Sequence, residues 1–465
     1  RTGASSRRGG RGVRGGRSIY IHWAQEAFDQ GGMIREYVKW DYELRDGSQV
    51  EAAVDRALTL ATADPPGPAY LMLPREVLAA GNETFALRRE EVRFGHASPQ
   101  PNAEQVERAA ELLAGAERPL LIASASGVNP ETVPLLVELA ETAAVPVVDF
   151  CNIYLNFPTN HPLHLGFTPD GLLQEADVII ALEADVPWMP NLFKPSDSAR
   201  VIHMGRDPYF SAYAMRSFPM DVILAGDPAA GLRMLREAVA KRLQGKEAAL
   251  EGRRERCGRI HAEQRADWAK QAEGAAQDRP IDPRWLSACI NRVRDEDTVL
   301  VNEYDLMLNH VDIAEPGTFF GSSHAGGLGW ALGASLGAKL ARPEKTVIAT
   351  VGDGCYTFNA PTSAHFVSRA QGLPFLTVIF NNRCWNAVRR AARALYPDGW
   401  MTSRDDDPLS ALEPSPHYEK IVEAHEGYGE CVEDPAEVLP ALERALRVVR
   451  EEGRQAVLNV VCRLP

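Results

Sequence analysis

Residues 345–382 read KTVIATVGDGCYTFNAPTSAHFVSRAQGLPFLTVIFNN. A mostly apolar run, Val347 to Val351, leads into Gly352-Asp353-Gly354. A segment long enough for a helix follows, then a second apolar run, Phe375 to Phe380, which ends on Asn381-Asn382. Near-continuous apolar runs of this length mark strands buried on both faces, and two of them joined through a helix form a parallel pair. Groups at the carboxyl ends of parallel strands gather in one crevice outside the sheet. Here they are one carboxylate and two carboxamides, all hard oxygen donors, beside glycines that let backbone approach an ion or phosphate closely. Mg²⁺ carrying a diphosphate suits such a set. The competing reading is a helix-capping aspartate followed by an asparagine turn.

The alternation continues outward through residues 284–465. Trp285 to Val293 has helical spacing, Thr298 to Val301 reads as a strand running into Asn302-Glu303-Tyr304-Asp305, and Ala456 to Val461 reads as a further strand. Between them lie Gly317-Thr318-Phe319-Phe320 and the glycine-rich Gly326-Gly327-Leu328-Gly329-Trp330-Ala331-Leu332-Gly333-Ala334. Upstream, residues 104–240 repeat the pattern. A helical stretch from Ala103 to Ala114 precedes the strand Pro119 to Ala123, and apolar runs recur at Val145–Val148, Val178–Leu182, Val201–Met204 and Val222–Leu224. Helix and strand in alternation indicate a second, mostly parallel sheet. Residues 241–283 are densely charged, with helical text closed by Pro280 and Pro283, and read as a solvated connection. Residues 76–103 are linker-like. In residues 19–80, Val50 to Leu60 has helical spacing, Pro65-Pro66-Gly67-Pro68 makes a turn, and Ala69 to Pro74 reads as a short buried strand. Residues 1–18, RTGASSRRGGRGVRGGRS, hold six Arg and six Gly. They read as a disordered terminus, with a basic arm touching phosphate groups as the alternative.

At 465 residues the chain needs two or three domains. Hydrophobic content of 45% and charged content of 24% are those of a soluble globular protein. The net charge of −13 argues against general nucleic-acid binding, and no apolar run reaches the length of a membrane span. Seven scattered cysteines without a CxxC pair make a disulfide framework or zinc site an unfavourable reading and point to a reducing cytoplasm.

The spacing of GDG, the twenty-six residues Cys355 to Phe380, and NN resembles the signature of thiamine-diphosphate (ThDP) enzymes. The 326–334 segment is similar to the matching part of benzoylformate decarboxylase and acetolactate synthase. The resemblance covers nearly all of residues 284–465 and extends to residues 104–240 as architecture. It reaches residues 19–80 as the end of a pyrimidine-binding domain. It implies an α/β fold of three domains with mostly parallel sheets, the N-terminal domain incomplete. Implied with it are ThDP and Mg²⁺ as cofactors, decarboxylation or carboligation of a small 2-oxo acid, and a homodimer or homotetramer. The front of the pyrimidine domain carries the family's cofactor-activating glutamate. No residue here matches it, since Glu26, Glu36 and Glu43 lie in polar, helix-like text and read as surface charges. A non-catalytic ThDP-binding remnant or regulatory subunit is therefore one alternative. A 2-hydroxyacyl-CoA lyase of the same superfamily is another, but it requires a nucleotide pocket in the central domain. Ser124 to Gly127 and Gly205 to Pro208 read equally well as ordinary loops, so neither FAD nor a nucleotide is expected there.

By the match, Mg²⁺ would be held by Asp353, the Asn382 side chain and the Cys384 carbonyl. The diphosphate would be cradled at Gly352, with backbone N–H groups from Gly354 and Cys355. Leu328 matches the apolar wedge that bends ThDP, or else it is a core leucine between glycines. His324 is a candidate proton relay at the reacting end of the cofactor, or else a loop histidine bound to backbone. Trp385, Asn386 and Arg389 would form a basic, aromatic wall suited to a carboxylate-bearing substrate, or a solvated helix face. The interval from GDG to NN is slightly longer than in typical acetolactate synthases, with Tyr356 to Asn359 as the place of the extra length. His203, inside an apolar run, reads as a satisfied structural histidine. Neither a nucleophile elbow nor a metalloprotease helix motif occurs.

Overall fold

The computed structural model describes residues 17, 19–81, 97–404 and 409–464. All but one of the residues in the Arg/Gly-rich start therefore lie outside the described residues. The chain forms two compact units, residues 1–100 and 101–465.

In the first unit, β1 (Trp40–Glu43) and β2 (Ala69–Met72) pair in parallel, with Trp40 opposite Ala69 and Glu43 opposite Met72. The Val50–Thr62 helix makes the crossover. The expected strand is two residues shorter than its apolar text, because Leu73-Pro74 leads into the Arg75–Ala79 helix. β1 escapes a pattern search because WDYE is short and polar. Glu26, Glu36 and Glu43 are all exposed; Glu43 ends β1 rather than lying in a helix.

The second unit holds two sheets, both wholly parallel. The five-stranded sheet comprises β3 (Pro119–Ala123), β4 (Val147–Asp149), β5 (Val178–Leu182), β6 (Arg200–Gly205) and β7 (Val222–Ala225) in the order β4-β3-β5-β6-β7. Every residue of β3, β4 and β5 is buried, as the apolar text of β3 and β5 requires; β4 ends on the buried Asp149. His203 on β6 is buried, contacts the Pro219 carbonyl at 3.1 Å, and is pushed down to about 4 by burial and the nearby Arg216 charge, so it is a neutral structural residue. The charged 241–283 stretch is largely one helix, Glu247–Gly274, with only Leu250, Cys257 and Ala272 buried.

The six-stranded sheet comprises β8 (Thr298–Glu303), β9 (Phe319–Gly321), β10 (Thr346–Gly352), β11 (Leu376–Asn381), β12 (Tyr428–Val432) and β13 (Ala456–Val461), ordered β12-β13-β11-β10-β8-β9. Along β10 the side chains alternate between two cores: Ile348 packs into one, and Val347, Ala349 and Val351 into the other. Burying each of the valines and the isoleucine contributes roughly 1.5–3 kcal/mol. The connection expected between β10 and β11 is two helices, Asp353–Phe358 and Pro361–Gln371. The break is at Ala360, in left-handed conformation with φ 46°, before a proline that cannot continue a helix.

The chain runs from β8 outward to β9, then returns to place β10 on the other side of β8 and continues through β11. The strand order therefore reverses between β8 and β10, which is where a parallel α/β sheet opens a crevice at its carboxyl edge. Glu303 stands opposite Val351 at that edge, and Gly352 opposite Phe380. The two sheets meet where Gly321 on β9 donates to the Ile153 carbonyl at 2.7 Å, and where the Thr159 amide donates to Ile313 at 2.9 Å.

Candidate functional site

Asp353 is the first residue after β10 and opens the short helix there. Its side chain is buried, and Oδ2 has no hydrogen-bond partner. Burial pushes its carboxyl up to about 6, while the nearby backbone amides of Gly354, Arg383 and Cys384 pull the other way. The 382–384 turn after β11 thus faces Asp353, as the GDG-to-NN spacing anticipates.

The two asparagines have separate jobs. Asn381 is buried and donates from Nδ2 to Asn459 Oδ1 at 2.9 Å and Ser415 Oγ at 3.0 Å, tying β11 to its neighbours. Asn382 is only partly buried, and its Oδ1 accepts from the Cys384 amide at 3.0 Å. Arg383 between them is left-handed, φ 58°, a conformation that costs a non-glycine residue roughly 1–2 kcal/mol. That turn places Asn382 and Cys384 on either side of it, with the Cys384 carbonyl accepting from the Asn386 amide at 2.8 Å.

Both glycines of GDG are required by close approach. A Cβ on Gly352 would lie 2.3 Å from Asp305 Oδ2, and one on Gly354 would lie 2.5 Å from the Trp385 ring. Trp385 therefore forms a wall against the motif, and its ring also tilts against Phe358 at 5.3 Å.

The carboxyl end of β8 supplies a group that the sequence reading left without a role. Glu303 is buried, and both its oxygens are used. Oε1 accepts from the Gly329 amide at 2.6 Å, and Oε2 from Trp330 at 3.1 Å, Ala331 at 2.8 Å and Asn359 Nδ2 at 3.0 Å. Asn359 Oδ1 accepts from the Leu332 amide at 2.8 Å. A carboxylate and a carboxamide thus cap the Ala331–Ala341 helix and hold the glycine-rich loop before it. Asn359 lies in the stretch where extra length was expected. Gly329 is at φ 96°, and a Cβ there would meet the Phe358 carbonyl at 2.3 Å.

Held between Gly327 and Gly329, Leu328 is 39% exposed. It is not a core leucine. The structure brings its loop, Asp353 and the 382–384 turn to the carboxyl edge of one sheet. Asp305 is there too, its carboxyl pushed up to about 7 by burial and by the charge of Asp353.

His324 stands at the junction of the two sheets. Nδ1 is 2.7 Å from both Asp185 carboxylate oxygens, and Nε2 is 2.6 Å from the Cys151 carbonyl. Two acceptors call for two N–H groups, the imidazolium form, and Asp185 holds the histidine above its ordinary range. Asp185 itself is held down to about 2 by His324 and Tyr213, against its burial. Both nitrogens are engaged, so His324 relays a proton only by breaking one of these bonds.

Among the described residues no group of three His, Cys, Asp or Glu side chains forms a cage for a metal ion. A cation here must draw on carboxamide, carbonyl and non-protein oxygens, which is how Mg²⁺ is held beside a diphosphate. The unpartnered Asp353 oxygen, the hard-oxygen donor set and the two motif glycines fit that pair of ligands. No described helix is long and apolar enough to cross a membrane.

Comparison with known proteins gives concordant results. Residues 303–460 match the description "Thiamine pyrophosphate enzyme, C-terminal TPP binding domain", and residues 106–235 match "Thiamine pyrophosphate enzyme, central domain". An acetolactate synthase large subunit of Mycobacterium tuberculosis is 27% identical over 467 aligned positions, covering 97% of this chain and 79% of the relative. The benzoylformate decarboxylase of Pseudomonas aeruginosa is 29% identical over 392, covering 80% and 68%. The solved Rhodococcus jostii RHA1 thiamine diphosphate-dependent 4-hydroxybenzoylformate decarboxylase superposes with a TM-score of 0.74 at 21% identity, over 97% of this chain and 82% of that one, a likeness of fold.

Proposed function

The chain belongs to the thiamine pyrophosphate enzyme family, and from that premise we propose that it binds ThDP with Mg²⁺ at the carboxyl edge of the β8–β10–β11 sheet and decarboxylates or ligates a small 2-oxo acid. The observation that carries the reading is Asp353: a buried carboxylate with an unpartnered oxygen, facing the 382–384 turn. Asp353, the Asn382 side chain and the Cys384 carbonyl would hold the metal, and the Gly354 and Cys355 amides would receive the diphosphate. When bound, the cofactor supplies an electron sink for breaking or making the bond next to the keto carbon.

The chain's own residues position and shield. Glu303 and Asn359 fix the loop from which Leu328 projects, so that an exposed apolar side chain is presented at a set height. Trp385 closes one side of the motif, and Arg389, one turn further along the Asn386–Leu395 helix, adds positive charge suited to a substrate carboxylate. His324 acts through position, anchoring the segment that leads into Gly326-Gly327-Leu328. A homodimer or homotetramer is part of the proposal, by analogy with the family.

The test adds ThDP and Mg²⁺, supplies pyruvate or benzoylformate, and measures CO₂ release beside calorimetric cofactor binding. Turnover of either substrate supports the enzyme reading, and binding without turnover of any 2-oxo acid supports a non-catalytic ThDP-binding role. If Asp353→Ala leaves ThDP affinity unchanged, the assigned site is wrong.

A further inference from the structure

We propose that Asp305 is a second carboxylate of the cation site, strengthening its hold on a divalent metal before the diphosphate arrives. The proposal rests on the ThDP reading above and concerns a residue to which the motif match gives no part.

The geometry begins at the end of β8. Glu303 has both oxygens committed to the helix cap, but Asp305, two residues on, makes no hydrogen bond or ion pair with the described residues. Tyr304 and Asp305 are consecutive left-handed residues, at φ 64° and 69°. Two such non-glycine residues in a row store strain, which persists only where the surroundings fix it and which clusters at functional sites. The turn they make lays the Asp305 carboxylate against Gly352, with Oδ2 2.3 Å from where a Cβ would be, next to the residue bearing the buried, unpartnered Asp353 oxygen. No described lysine or arginine pairs with either acid.

Two uncompensated carboxylates beside the seat expected for a diphosphate repel that anion and attract a divalent cation. Asp305 therefore raises affinity for the metal alone and penalises the diphosphate alone. A site with Asp353 as its only acid would do both less.

The experiment titrates the full chain with Mn²⁺ in the absence of ThDP, followed by electron paramagnetic resonance, and titrates ThDP with and without Mn²⁺ by calorimetry. Wild type should bind Mn²⁺ at this site without ThDP and show weaker ThDP binding in metal-free buffer. Asp305→Asn should weaken Mn²⁺ binding roughly 10–100-fold and strengthen metal-free ThDP binding. Asparagine tolerates the left-handed backbone, so this variant should fold. Asp305→Gly relieves the strain and should give the same loss, which separates the effect of charge from that of backbone. Mn²⁺ affinity unchanged in both Asp305 variants, or absent from metal-only wild type, overturns the proposal. Asp353→Asn keeps the two readings apart. If it abolishes metal binding while the Asp305 variants are silent, only the Asp305 assignment falls; if it too is silent, the cofactor site itself falls.

Discussion

Asp353 shows a conflict between folding and function in one side chain. Its carboxyl is pushed up to about 6 from an ordinary 3.8 because burial penalises the charge. An acid raised in the fold favours folding fully only below its unfolded value. That stability falls away as pH rises from about 3.8 through 6, so at neutral pH the ionised group destabilises the metal-free chain. Asp353→Asn should therefore raise metal-free stability by on the order of 1–3 kcal/mol while weakening Mg²⁺-dependent ThDP binding about tenfold or more. Urea denaturation of the apo chain beside cofactor titration reads both; loss of stability together with loss of binding would make Asp353 a structural residue. Leu328 makes the complementary case. It is exposed, so Leu328→Ala should leave stability within about 0.5 kcal/mol yet lower turnover of the loaded enzyme, read from thermal melts beside steady-state rates. Asp353 and Asn382 were legible because a fixed spacing ties them to two strand ends. Glu303 and Asp305 were not, because what makes them matter is reached across the sheet: amides 26 to 28 residues later for Glu303, and Gly352 for Asp305.

Elements were legible where burial is two-sided. Near-continuous apolar text, interrupted inside only by Thr350, Thr377 and Asn459, marked β3, β5, β10, β11 and β13 to within a residue or so at each end, since a strand in the middle of a parallel sheet is buried on both faces. The edge strand β12, with text YGECV and only Val432 buried, and the short β1 show no such run and were invisible. The sequence did not show how the Ala331–Ala341 helix is capped either. Trp330 at its N-cap makes no side-chain bond to the helix's free amides, and the work is done by Glu303 from β8. Glu303→Gln keeps the shape, but it turns one oxygen into an NH₂ group facing amide donors and removes the charge. It should cost on the order of 2–4 kcal/mol in denaturant unfolding, the sum of a lost charge-assisted bond and an unsatisfied donor. Faster amide hydrogen exchange at Gly329, Trp330 and Ala331 should localise the damage. Uniform loss of protection across the six-stranded sheet would assign Glu303 to the core instead of the cap.

Across the whole 101–465 unit, the pair His324–Asp185 links the five-stranded sheet to the loop that presents Leu328. Its two partners titrate in opposite directions, which fixes the pH window of the link. Asp185, lowered from 3.8 to about 2, contributes stability that is complete above 3.8 and disappears as pH falls toward 2. His324, raised above 6.5 chiefly by Asp185, contributes stability that is complete below 6.5 and is lost as pH rises through its elevated value. Both contributions coexist between about pH 4 and 6.5. The Asp185 shift alone corresponds to about 2 kcal/mol, and the two side chains are 7% and 22% exposed, so solvent screening removes little of it. Two other groups reach the same carboxylate, Tyr213 through its hydroxyl and the Val186 amide, which donates to Oδ1 at 2.7 Å, while Arg216 donates to the Asp185 backbone carbonyl at 2.6 Å. These partners keep Asp185 satisfied at high pH, so the alkaline loss should be a weakening of the link while the fold persists. In urea unfolding, wild type should exceed Asp185→Asn by the largest margin near pH 5.5, and the margin should narrow at pH 8.5 and again at pH 3. Turnover should decline over the same alkaline range in wild type and be low and flatter in the variant, because the loop carrying Leu328 would lose its anchor. A stability margin that stays constant from pH 5 to 9 would show that His324 is held by the Cys151 carbonyl and loop packing, with its charge contributing nothing.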